Sequence, residues 1–206
     1  IIDEKSKITA FGELCAEINN ENGTLLWELI YINLAYNSPL MRWFSNAIGF
    51  NIEIGRKDLD KLALEYFQQT FKESTIVYAV QALVQSFKYS SIGEELGQFV
   101  CQDAKATEFK RIPYNDLSPE AVAYSLYKYA QQKGIRMLRV SDLYRSEEEY
   151  GVYKEFGISK AELLKKLRFL SSGKNRVLVA ELSMGLDHIT LRDDLDQMTS
   201  LKLLVE

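Results

Sequence analysis

From Leu25 to Ala35 almost every position is apolar, with Glu28 and Asn33 the only strongly polar interruptions. That pattern predicts a buried helix with Thr24 as its N-cap, ending near Asn37-Ser38-Pro39. Ser38-Pro39 opens a second helix through Met41, Trp43, Phe44 and Ile48, with proline in the first turn and Gly49 at its end, and the two helices are expected to pack together. After Arg56 the apolar residues thin to a stripe, Leu59, Leu62, Ala63, Tyr66 and Phe67, broken over Gln69 to Glu73. Ser74 is the expected cap of the next helix, which sets Ile76, Val80, Leu83, Val84 and Phe87 on one face and Tyr78, Gln81, Gln85 and Lys88 on the other. Residues 97–112 are less periodic and predict a strand or two before Pro113.

Ser118-Pro119-Glu120 starts another helix, carried by Val122, Leu126, Tyr129 and Ala130 to Gly134. Arg139 to Arg145 reads as a short helix entered through extended residues, and Glu147 to Glu149 as an exposed linker or helix start. Ser159-Lys160-Ala161-Glu162 has the form of a capping box. The helix it opens turns Leu163, Leu164, Leu167 and Leu170 inward and Lys165, Arg168 and Ser172 outward, and Gly173 ends it. Val177 to Leu182 and His188 to Arg192 then form a hairpin about Gly185. Helix, turn, capped helix and hairpin is the order of a winged helix. Residues 56–112 repeat it more weakly. The expected fold is therefore mainly α with small β-hairpins (α+β), built as tandem winged-helix-like units: a helical segment over 1–55, a first unit over 56–112 and a second over 113–206.

The chain has 206 residues, 47% of them hydrophobic, enough for one good core or two small ones, and no low-complexity stretch interrupts it. Its most apolar run is too short and too polar to span a membrane, and Ile1 to Lys7 lack the layout of a secretory signal. A cytoplasmic location follows as the expectation, with Cys15 and Cys101 as reduced, buried thiols. His188 is the single histidine. Zinc and haem ligation are thereby all but excluded, and Ser-His or Cys-His catalysis would rest on that one ring, whereas carboxylate-bound magnesium stays open. There is no phosphate-binding glycine motif. The formal charge of -4 argues against general affinity for nucleic acid, but its distribution is uneven: Lys154 to Arg176 holds seven cations against Glu155 and Glu162.

Lys160, Lys165, Lys166, Arg168, Lys174 and Arg176 are accordingly the first candidates for DNA contact, set against the plainer reading of a solvated helix face. Gln81, Gln85 and Lys88 are candidates for reading bases, since glutamine matches the major-groove edge of adenine; glutamine is also an ordinary surface residue of helices. Asp193, Asp194 and Asp196, with Asp142 and Glu147 to Glu149, offer carboxylates for a magnesium site in phosphodiester cleavage, although such clusters also serve as caps and turns. Glu108-Phe109-Lys110, with Asp103 upstream, has the Glu-x-Lys spacing of many nuclease strands. His188 fits a wing residue near phosphate, and Trp27 and Trp43 fit the core. No catalytic residue is singled out.

Thr24-Leu-Leu-Trp-Glu-Leu29, Ser38-Pro-Leu-Met-Arg-Trp-Phe44, Ser118-Pro119-Glu120 and Ile189-Thr-Leu-Arg-Asp-Asp-Leu195 together resemble a bacterial domain-of-unknown-function family. Its genes lie beside phosphosulfate-reductase-like DNA phosphorothioation genes, and it includes the SspB-type proteins. The likeness runs through essentially the whole chain as order and spacing. It implies a part in antiphage defence based on replacing a DNA backbone oxygen by sulfur, and for SspB-type members it implies DNA nicking. Family members begin with a further helix-turn-helix segment; Ile8 to Leu14 resembles its end, so a preceding segment is expected, in keeping with a first residue other than Met. The resulting expectation is a DNA-binding component of a phosphorothioation system, with double-stranded DNA and other phosphorothioation proteins as partners, no membrane, and no cofactor other than magnesium if it nicks. A magnesium-dependent nickase, a winged-helix protein adaptor and a transcriptional regulator are the alternatives.

Overall fold

A computed structural model describes residues 7–102, 107–183 and 186–205. The described residues are mainly helical with two small antiparallel sheets. Three helices come first: α1 (Ala10–Glu21), α2 (Gly23–Asn37) and α3 (Pro39–Ala47). Then follow β1 (Glu53–Gly55), α4 (Arg56–Phe67), α5 (Glu73–Lys88), β2 (Val100–Cys101) and β3 (Glu108–Lys110). The C-terminal half has α6 (Pro119–Lys133), β4 (Met137–Arg139), a 3-10 turn at Val140–Tyr144, α7 (Val152–Phe156), α8 (Lys160–Leu170), β5 (Leu178–Glu181), β6 (His188–Leu191) and α9 (Gln197–Val205). Both sheets place the last strand in the middle, in the orders β1-β3-β2 and β4-β6-β5. Strand, two or more helical turns and a hairpin thus occur twice.

Local chemistry explains most boundaries. Ser38 accepts from Met41 N at 3.3 Å and Ser118 from Ala121 N at 3.2 Å, each followed by proline, whose missing N–H costs nothing in the first turn. Two expected caps are different. Asn22, not Thr24, caps α2 by accepting from Leu25 N at 3.0 Å, and α5 begins at Glu73 with Lys72 before it and no side-chain cap, so Ser74 lies inside the first turn. Strand β1 falls within the stretch read as helical; Ile54 lies opposite Phe109 of β3.

The buried side chains form one continuous cluster drawn from both halves. Helix α2, apolar nearly all round, packs on α1, α3, α6 and α7, and α6 in turn meets α8 and α9. At the seam lies Arg111, wholly buried. Its guanidinium donates to Ser45 O (2.8 Å) and Ile48 O (2.9 Å) at the end of α3, to Lys154 O and Glu155 O (both 2.8 Å) at the end of α7, and to Gln98 Oε1. A cation suits carbonyls exposed at helix C-termini, where the macrodipole is negative. Phe50 covers the guanidinium with its ring centre 4.0 Å away. Gly157, at φ +66°, ends α7 beneath that ring, and a Cβ there would meet it at 2.8 Å.

Candidate nucleic-acid interface

Helix α8 and the strand after it are held from several sides. Ser159 N donates to Asn115 Oδ1 at 2.8 Å, and Ser159 Oγ accepts from Glu162 N at 3.3 Å. Only half of the expected capping box is therefore made: the Ser159 amide is already taken, and Glu162 pairs with Lys165 at 2.6 Å instead. Leu163, Leu167 and Leu170 are buried, each worth about 1.5–3 kcal/mol of apolar burial. At the far end, Ala180 N of β5 donates to Ser171 Oγ at 3.1 Å, while Tyr127 of α6 donates to Val177 O at 2.7 Å and accepts from Arg192 N at 3.2 Å. Helix and hairpin are thus fixed to each other and to α6.

On this frame Lys160, Lys165, Arg168, Lys174 and Arg176 are exposed and Lys166 is half-buried. They do not share one face. Helical spacing puts Lys165 and Arg168 on the outward side of α8, with Lys160 and Lys166 flanking the leucine stripe on opposite edges and Lys174 and Arg176 in the turn into β5. Among the described residues Lys165 alone of the six has a carboxylate within ion-pair distance, and a pair this exposed is worth little. Hydrogen bonds from Ser141 hold Asp187 below the usual carboxylate range, with the charges of Lys160 and His188 adding to the effect. His188 lies in β6 between Arg139 of β4 and Glu181 of β5.

Gln81, Gln85 and Lys88 are exposed along α5, opposite Ile76, Val80, Leu83, Val84 and Phe87, as the spacing predicts. Four of the acidic candidates, Asp142, Glu148, Asp194 and Asp196, are engaged in ion pairs or a cap, while Asp193, Glu147 and Glu149 are exposed. Asp194 forms a two-pronged pair with Arg192 at 3.0 and 2.6 Å; Asp196 caps α9, accepting from Met198 N and Thr199 N at 2.9 and 2.7 Å; Asp193 points to solvent with Arg136 at 3.9 Å. Asp142 pairs with Arg145, Glu148 with Lys133, and Lys110 faces Glu53 across the strand pair at 4.0 Å. Among the described residues no three His, Cys, Asp or Glu side chains converge as a metal site would require. Asp103 and the turn residues 184 and 185 lie outside the described residues.

Cys15 is buried, its thiol pushed up to about 11 by burial, and no disulfide joins it to the half-buried Cys101. Trp43 is in the core, with Tyr66 and Phe67 beside it. No helix among the described residues is long and apolar enough to cross a membrane.

No family model and no curated protein matches the chain. A magnesium ion-bound SspB crystal structure shares its fold. The superposition has a TM-score of 0.59 at 16% identity and covers 80% of this chain and 53% of the SspB chain. This chain therefore spans about half the length of that SspB. The likeness is one of fold.

Sequence reasoning did not single out as functional or structural sites the three charged side chains that are buried among the described residues, Arg111, Glu28 and Glu155. Arg111 had a signal: strand alternation puts it on the same side as the buried Phe109, with Glu108 and Lys110 on the other. Glu28 interrupts the most apolar helix, and its carboxylate accepts from the N–H and hydroxyl of Ser118 at the start of α6. Nothing near Glu155 in the sequence marks it as buried.

Proposed function

We propose that this chain is a DNA-docking module of a phosphorothioation-linked bacterial defence protein, and that its two strand–helix–helix–hairpin repeats are winged helices. The observation that carries the reading is the surface of α8 and the turn into β5. From Leu163 to Ala180 there is no carboxylate, in a chain with 29 acidic residues, and Lys165, Lys166, Arg168, Lys174 and Arg176 all lie within that stretch. A local cationic surface on a helix that precedes a hairpin suits phosphate contact from the position a winged helix uses for DNA. The fold shared with SspB supports placing it in a phosphorothioation system, with double-stranded DNA as ligand and the other proteins of the system as partners.

Docking rather than cutting is proposed for this chain, because Asp142, Glu148 and Asp194 are engaged in ion pairs and Asp196 in a helix cap. The test is a titration of a short duplex across a salt series. Each phosphate neutralised contributes about 0.9 to the slope of log affinity against log salt. Lys165→Ala/Arg168→Ala should weaken binding and flatten the slope by up to about two. An unchanged slope would remove α8 from the contact surface; absence of binding at low salt would remove the function.

A further inference from the structure

Helix α5 occupies the place in the first repeat that α8 occupies in the second: it is the last helix before the hairpin of a sheet whose final strand is central. Its exposed face has a different chemistry. Tyr78 is 72% exposed and Tyr89 77%, Gln81 and Gln85 are exposed between them, and Lys88 lies with its ammonium 5.9 Å from the Tyr89 ring centre. From Ser74 to Gly93 the chain carries no carboxylate, and Lys88 is its one formal charge. The side-chain amides of Gln81 and Gln85 bond no neighbour among the described residues, so their donors and acceptors are open to a ligand.

We infer that α5 is a second DNA-contacting element that reads A·T base pairs through Gln81 and Gln85, with Tyr78 beside them, while α8 holds phosphates without regard to sequence. The inference rests on the DNA-docking reading above. A face free of carboxylates does not repel the polyanion, yet with a single lysine it contributes little to counterion release, so its affinity for DNA must come from hydrogen bonds and apolar contact. Glutamine presents a donor and an acceptor that match N7 and N6 of adenine. Four residues of helix advance by about 6 Å, close to two base-pair steps, so Gln81 and Gln85 can address bases about two apart in one groove. Tyr78, one turn before Gln81 on the same face, supplies an apolar ring of the kind that can meet a thymine methyl.

The experiment is enrichment of bound sequences from a random-duplex pool by the whole chain, compared among wild type, Gln81→Ala/Gln85→Ala and Lys165→Ala/Arg168→Ala. Wild type is expected to enrich sites with paired A·T positions. The glutamine variant should lose that preference, about tenfold or more in discrimination for one bidentate contact, with its salt slope unchanged. The α8 variant should keep the preference while binding every duplex more weakly on a flatter slope. Binding without enrichment, or enrichment unaffected in the glutamine variant, would overturn the α5 assignment while leaving DNA docking standing. Failure of wild type to bind any duplex at low salt would overturn the docking reading itself. Tyr78→Phe and Tyr78→Ala separate the ring from the hydroxyl: retained preference in the first and loss in the second is expected, and retention in both would exclude Tyr78.

Discussion

Arg111 is the residue on which most of the fold converges, because one side chain serves carbonyls of α3 and α7 together with Gln98. Arg111→Met would leave those acceptors buried and unpaired, and is expected to cost about 3–5 kcal/mol by denaturant unfolding. Arg111→Lys should recover little of that, since an ammonium cannot span both helix ends as the planar fork does. Gly157 beneath Phe50 makes a related case: Gly157→Ala puts a methyl into the ring and a side chain at positive φ, and should lower stability by about 2 kcal/mol or more. A loss within a few tenths of a kcal/mol in either variant would contradict the keystone role described for this cluster. Alternation along Glu108 to Arg111 pointed Arg111 inward, but its partners lie up to 80 residues away, and no local pattern encodes them.

At the level of elements, what the sequence showed and what it hid follow from the range of the interactions. Helices α3, α6 and α8 were legible because Ser38, Ser118 and Ser159 each bond an amide three residues on. Thr24 and Ser74 have the right chemistry for capping, but Asn22 reaches the α2 terminus first and α5 starts one residue before Ser74. Strand β1 was invisible since Glu-Ile-Gly becomes a strand only by pairing with β3, more than fifty residues later. The cationic stretch around α8 was legible as composition, whereas its division between the outward side, the two flanks and the turn was not. Ser159→Ala should cost about 1 kcal/mol, the usual worth of an N-cap. Asp196→Ala, which removes the cap of α9, should cost a similar amount. Unfolding transitions of the two variants that overlay wild type would contradict these caps.

For the whole molecule, buried carboxylates set the response to pH and exposed cations set the response to salt. Burial pushes Glu28 and Glu155 up to about 7 from 4.5. The folded chain therefore binds more protons than the unfolded one between those values, and stability falls as pH rises through that window. Asp187, Asp194 and Asp196, held low by Ser141, Arg192 and Thr199 respectively, work in the opposite sense and lose their contribution as pH falls through their folded values. Maximum stability is expected near pH 5, and Glu155→Gln should flatten the decline toward neutrality by on the order of 2 kcal/mol; a flat wild-type profile from pH 5 to 7.5 would contradict it. The proposed docking brings DNA to the chain at α8 and the hairpin after it. Amide hydrogen exchange with and without a short duplex at low salt tests this most directly. Added protection over α8, the turn carrying Lys174 and Arg176, and β5 is the predicted result. Exchange that is unchanged there while the duplex is bound would contradict it.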